Sequence, residues 1–285
     1  MLHAANILCL GTPASAAPTQ ALPLARHLGA PLHGLPFPPL SGDAASKGPP
    51  VSPEEADEVS VQVPESPPES MAEVLQYVAD ADIDLVVVDT PPDREPVPPL
   101  AVDAAKRLAR QLPCPVFVVE HVERPATIRD ILVPTDLSEH ALRAFRHAVN
   151  LARLYDASVH VLHVVDSLPY VALTPTDRLS LGPTPLSEHR GRRRVRAFLQ
   201  EEEAEDVSLH VHLAYGDPAD QVARFADREA INLMVLASHG RSSRPASPLG
   251  QVAERILGRV TCPLFLIPSF GASLLEARPD SESLS

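Results

Sequence analysis

The run "IDLVVVDT" that starts at Ile83 returns as "INLMVLAS" starting at Ile231, and "PCPVFVVE" around Cys114 returns as "TCPLFLIP" around Cys262. Both pairs stand 148 residues apart (231 − 83 and 262 − 114). One register shared by two apolar runs and the stretch between them means that a single supersecondary unit occurs twice in the chain. The register reaches upstream, where Val74, Tyr77 and Val78 fall opposite Val222, Phe225 and Ala226. At the front of each half, "NILCLGT" from Asn6 resembles "DILVPTD" from Asp130 at an offset of 124 (130 − 6). The second half therefore carries an internal segment that the first lacks.

A chain of 285 residues has room for two ordinary domains. In the second half strand and helix patterns alternate. "ILVP", "SVHVLHVVD", "VSLHVHLAYG", "LMVLA" and "PLFLIP" read as strands. Between them, "SEHALRAFRHAVNLARLYD" offers Ser138 as an N-cap and places Leu142, Phe145, Val149 and Ala152 on one face. "DPADQVARFADREA" offers Asp217 as N-cap with Pro218 at the first helical position. Five strands alternating with helices imply a parallel α/β sandwich, and in such sheets ligands bind at the carboxyl ends of the strands. The expected domains are 1–120 and 127–268. Residues 37–70, crowded with Pro, Ser, Glu and Gly, are expected to form a mobile loop, and 269–285 a disordered tail.

Composition removes several function classes. Cys9, Cys114 and Cys262 form no CxxC spacing, which argues against a disulfide framework or a structural zinc site and fits a reducing cytoplasm. A formal net charge of −13 disfavours nonspecific binding to nucleic acid or an anionic membrane. No apolar run approaches the ~20 residues that span a bilayer. The start, "MLHAANILCLGTPASAA", has no Lys or Arg and reads as a first strand, not a secretory signal.

The motifs "ILVPTDLSEHA", "LHVVD", "GDPADQV", "LASHGRS" and "CPLFLIP", in this order and spacing, resemble a universal stress protein domain over residues 127–268. The first half resembles a degenerate copy. The resemblance implies a Rossmann-like, adenine nucleotide alpha hydrolase-like fold with five parallel strands per half. It also implies an internal pseudo-dimer through the two last strands, and further association of two chains into a homo-oligomer. Nucleotide-binding members carry GxxG, nine residues, then Gly followed by Ser or Thr. Here Ala237, Ser238, His239 and Gly240 are followed, after nine residues, by Gly250 and Gln251.

By resemblance, Pro134, Asp136 and Val164 line the adenine and ribose side of a site for ATP or another adenine nucleotide, with magnesium. Leu236, Ala237, His239, Gly240, Gly250 and Gln251 line the sugar and phosphates, and Arg241 and Arg244 add positive charge to the loop. Glycines let backbone N–H groups approach phosphate oxygens. Losing the Ser/Thr hydroxyl to Gln251 costs roughly 0.5–1.5 kcal/mol. A positive φ at Ala237 would add about 1–2 kcal/mol. The combined loss is on the order of 10- to several-hundred-fold in affinity. In the first half Asp89, Pro91, Pro92 and Val102 stand opposite Ala237, His239, Gly240 and Gly250, and Thr12 stands opposite Asp136. That half is expected to bind no nucleotide.

Blander readings stand beside these. The 237–251 loop reads equally as a structural connection, Asp136 as a helix cap, and Cys114 and Cys262 as small buried core residues. His239 is an alternative catalytic group for slow ATP hydrolysis, although no nucleophile, base and orienter set accompanies it, so no catalytic residue is assigned. His160, His210 and His212 suit solvated edge strands better than a metal site. "HRGRRRVR", 189–196, is expected to be neutralised by the adjacent "EEEAED". The function implied is a noncatalytic stress-response protein of the cytoplasm, with a ligand-free scaffold as a further alternative.

Overall fold

In a computed structural model of the protein the described residues are 4, 6–11, 17–36, 59–64, 68, 70–90, 108, 110–120, 128–165, 185–200, 202, 204–240, 249–269 and 274. They divide into two compact units, one of residues 1–127 with 263–285 and one of residues 128–262.

In the first unit the strands are β1 (Ile7–Gly11), β2 (Leu32–Pro36), β3 (Val61–Gln62), β4 (Leu85–Thr90), β5 (Val116–Glu120) and β10 (Leu264–Ile267), with helices α1 (Ala17–Leu28) and α2 (Met71–Asp80). The strand order is β3-β2-β1-β4-β5-β10. All neighbours run parallel except β5 and β10, which are antiparallel with Phe117 opposite Phe265. The last strand of the chain thus lies in the sheet of the first unit, and its ring packs 5.4 Å from that of Phe117.

The second unit contains β6 (Asp130–Thr135), β7 (Ser158–Val165), β8 (Leu209–Tyr215) and β9 (Leu233–Ala237) in the order β9-β6-β7-β8, all parallel. Its helices are α3 (Glu139–Tyr155), α4 (Pro185–Leu199), α5 (Pro218–Arg228) and α6 (Gln251–Ile256). Every residue of β9 is buried, as expected of a parallel strand covered on both faces. In each unit the first strand lies between the second and the fourth, so consecutive connections leave it in opposite directions. That reversal opens a crevice at the carboxyl ends of β6 and β9.

Local chemistry sets the helix starts. The Ser138 hydroxyl accepts from Ala141 N at 3.3 Å, and the Asp217 carboxylate accepts from Asp220 N at 3.0 Å ahead of Pro218. Arg255 also donates two hydrogen bonds of 2.8 Å to Asp217, while Arg259 pairs with Asp220, so α5 and α6 are tied together. Both partners of the Arg255 pair are substantially exposed, and the pair adds little. Asp217→Ala should therefore lower stability mainly through the cap, by about 1–2 kcal/mol, read as a shift in urea midpoint.

Several expectations change. Within 37–70, Val61 and Gln62 form an edge strand on β2, and Ser70 caps α2 through Glu73 N. Residues 37–58 lie outside the described residues. So do most of 269–285, where Leu274 is nonetheless buried. Cys9 and Cys114 are buried, but Cys262, which like Cys114 stands two residues before its strand, is only half-buried. Among the described residues, two acids of 201–206 pair with the neighbouring helix α3. Glu202 takes both donors of Arg146, and Asp206 both donors of Arg153, from the neighbouring α3.

Candidate functional site

β6 ends in a tight turn built by its own side chains. Thr135 Oγ1 accepts from Leu137 N at 3.0 Å, and Asp136 Oδ1 accepts from Ser138 N at 3.1 Å. Between them Leu137 adopts a left-handed φ of +62°. A non-glycine residue there costs of order 1–3 kcal/mol and persists only where its surroundings hold it. On the far side His163 donates from Nδ1 to the Thr135 carbonyl at 2.8 Å, because a carbonyl can only accept. These bonds fix Asp136 at the end of the strand. Threonine and aspartate each two residues before the N–H they receive were the available signal for this turn, and only Asp136 was singled out.

β9 delivers the facing wall. Leu236, Ala237 and Ser238 are buried, and the Ser238 carbonyl accepts from Gly250 N at 2.7 Å. This bond brings the start of α6 against the end of β9. Gly250 opens α6 with extended backbone and no side-chain cap. His239 Nδ1 lies 3.0 Å from Ser238 Oγ, and its ring centre is 6.5 Å from that of His140 on α3.

The decisive approach is between Gly240 and Asp136. A Cβ built on Gly240 would lie 2.5 Å from Asp136 Oδ2 and 3.3 Å from its Cγ. Only glycine lets the chain leaving β9 run this close to the carboxylate leaving β6. Gly240 has no positive φ, so close approach and not turn geometry is its purpose. Ala237 has no positive φ either, which removes the strain expected from its replacement of glycine.

The crevice thus gathers Asp136, Leu236, Ala237, His239, Gly240 and Gly250 around the ends of β6 and β9. Pro134 lies in β6 opposite Leu162, and Val164 lies two residues on from Leu162 in β7. Gln251 is exposed at the first position of α6. Arg241 and Arg244 lie outside the described residues, as do Thr12, Pro91, Pro92 and Val102 of the first half. Asp136 serves the helix-entry turn through Oδ1, while its Oδ2 faces Gly240. Among the described residues no group of three His, Cys, Asp or Glu side chains is arranged to hold a metal ion, and no helix is long and apolar enough to cross a membrane.

A sequence profile of the Universal stress protein family matches residues 127–268. Universal stress protein MJ0531 of Methanocaldococcus jannaschii is 31% identical over 139 residues, which span 49% of this chain and 81% of that protein. The chain belongs to the universal stress protein family. A second member, from Methanothermobacter thermautotrophicus, is 30% identical over 143 residues, again 49% of this chain and 94% of its own length. These alignments each span about half of this universal stress protein. Two solved structures are similar in fold over nearly all of it. A putative universal stress protein from Pseudomonas aeruginosa covers 93% of each chain with a TM-score of 0.64 at 20% identity. A universal stress protein from Archaeoglobus fulgidus covers 95% of this chain and 98% of its own with a TM-score of 0.62 at 16% identity.

Proposed function

We propose that this universal stress protein is a noncatalytic stress-response protein whose second half binds one adenine nucleotide, ATP with magnesium, at the ends of β6 and β9. The observation that carries the reading is the approach of Gly240 to the Asp136 carboxylate, which sets an acceptor for the adenine amino group beside a glycine-flanked loop. Pro134, Val164 and Asp136 take the base and ribose. Leu236, Ala237, His239, Gly240, Arg241, Gly250 and Gln251 take the sugar and phosphates. The first half, 1–120, is the degenerate copy and stays empty, and the protein acts in the cytoplasm as an assembly of tandem chains.

Calorimetry of the full chain with ATP, with and without magnesium, is expected to show a single site per chain. Asp136→Ala removes one hydrogen bond and should weaken binding by up to about tenfold. No heat, two sites, or an Asp136→Ala variant with unchanged affinity would each overturn this reading. Timed analysis of the bound nucleotide should return it intact; steady release of ADP would assign the protein to the hydrolases instead.

A further inference from the structure

At the opposite end of the same strands the two units repeat one side-chain arrangement with different chemistry. In the first unit His33 on β2 pairs in register with Leu8 of β1, its Nε2 lies 3.3 Å from Asn6 Oδ1, and its ring stands edge-on to Tyr77 of α2 at 5.8 Å. In the second, His160 on β7 pairs with Leu132 of β6, its Nε2 lies 3.1 Å from Asp130 Oδ1, and its ring is 6.3 Å from Phe225 of α5. Asn6 and Asp130 are equivalent at the 124 offset, and Tyr77 and Phe225 at the 148 offset. The neutral amide of one copy is a carboxylate in the other.

The remaining ring nitrogen follows suit. His33 Nδ1 is held by the Tyr77 hydroxyl at 2.7 Å, whereas His160 Nδ1 is held by His212 Nε2 at 3.2 Å. The rings of His160 and His212 stack at 5.3 Å with 16° between planes, and that of His210 lies 5.0 Å from His160. The 148 offset places Gln62 and Pro64 where His210 and His212 stand. One copy therefore holds a single imidazole among neutral groups, and the other holds three imidazoles and a carboxylate under helix α5.

We propose that Asp130, His160, His210 and His212 form a proton-binding site that loosens the carboxyl end of α5 from the sheet on acidification. With neutral rings, Asp130 accepts from His160 Nε2–H and His160 Nδ1 accepts from His212 Nε2–H, so the chain is satisfied. Asp130 is the carboxylate in contact with the rings and can balance one added charge. A second charge would face a cation among rings that lie 5.0–5.3 Å apart. The other charged groups near His212 are Glu229 at the end of α5, which favours the proton, and Arg192 of α4, which opposes it. The Phe225 ring, 4.7 Å from His212, already carries the Arg228 guanidinium 5.1 Å from its centre. Burial and His160 together hold the His212 imidazole below its usual range. The charge is relieved when Phe225 lifts and water enters.

Hydrogen exchange of the full chain at pH 7.5 and 5.5, corrected for intrinsic rates, tests this. Protection in residues 222–229 is expected to fall on acidification by about tenfold more than that of α3, with the Tyr77 end of α2 changing less than twofold. Asp130→Asn/His210→Gln/His212→Gln, which gives the second copy the chemistry of the first, should retain protection in 222–229 at pH 5.5. His212→Gln alone should give an intermediate response and serves if the triple variant does not fold. Protection in 222–229 that is flat with pH, that falls no more than that of α3, or that falls equally in the variants would overturn the proposal.

Discussion

A valine at position 240 should remove adenine nucleotide binding from this protein while leaving its far-ultraviolet circular dichroism unchanged. The side chain's first carbon alone would stand 2.5 Å from Asp136 Oδ2, so the carboxylate must swing away from the crevice. Asp136 is held in place by the bond from Ser138 N, and that turn also contains the strained Leu137. Displacing the carboxylate would lose the proposed hydrogen bond to the base and block the loop at the same stroke. A loss of about 3 kcal/mol, on the order of 100-fold in affinity, is expected. The effect should exceed that of Asp136→Ala, which removes the acceptor but leaves the space. Fluorescent-nucleotide titration of both variants against the unaltered protein measures the difference.

Acidification from pH 7 to 5 should destabilise the second unit by about 2 kcal/mol through His147 alone. This residue lies in α3 with no solvent exposure and donates from Nδ1 to the Arg143 carbonyl at 2.8 Å. Burial pushes its pKa down from 6.5 to about 4. Below pH 6.5 the unfolded chain takes up the proton first, so the stability carried by the neutral ring is complete above that pH and drains away as pH falls toward 4. The comparison between pH 7 and 5 stays above the ordinary Asp and Glu pKa values, so the imidazoles dominate it. Urea denaturation at pH 7 and 5 should show the loss, and His147→Leu should flatten the slope whatever its own cost at pH 7. A slope unchanged by that substitution would place the acid sensitivity elsewhere.

The repeat, the strands and the helix caps were legible because each rests on local chemistry. Ser138 and Asp217 cap the helices that their spacing to the following apolar residues announces. The site was legible as far as strand ends are: Asp136 and Gly240 meet because β6 and β9 are neighbours, a consequence of strand order. What composition could not settle was partnership across space. Glu202 and Asp206 read as counter-charges for the arginines beside them in sequence, yet they pair with Arg146 and Arg153 of α3. The backbone angle at Ala237 was equally hidden, since whether alanine is strained there depends on the course of β9. The recurrence of His33 as His160 is hidden in the sequence for a simple reason. Their separation is 127 (160 − 33), intermediate between the two offsets, because the segment between first and second strand differs in length in the two copies.

The proposed nucleotide site belongs to the second unit alone. A crystal structure of the full chain grown with ATP and magnesium tests this most directly. It should show one nucleotide per chain, with adenine beside Asp136 and phosphates between Gly240 and Gly250. Nucleotide at the ends of β1 and β4 instead, or a 237–251 segment folded across the β6–β9 crevice with no nucleotide in it, would contradict the account.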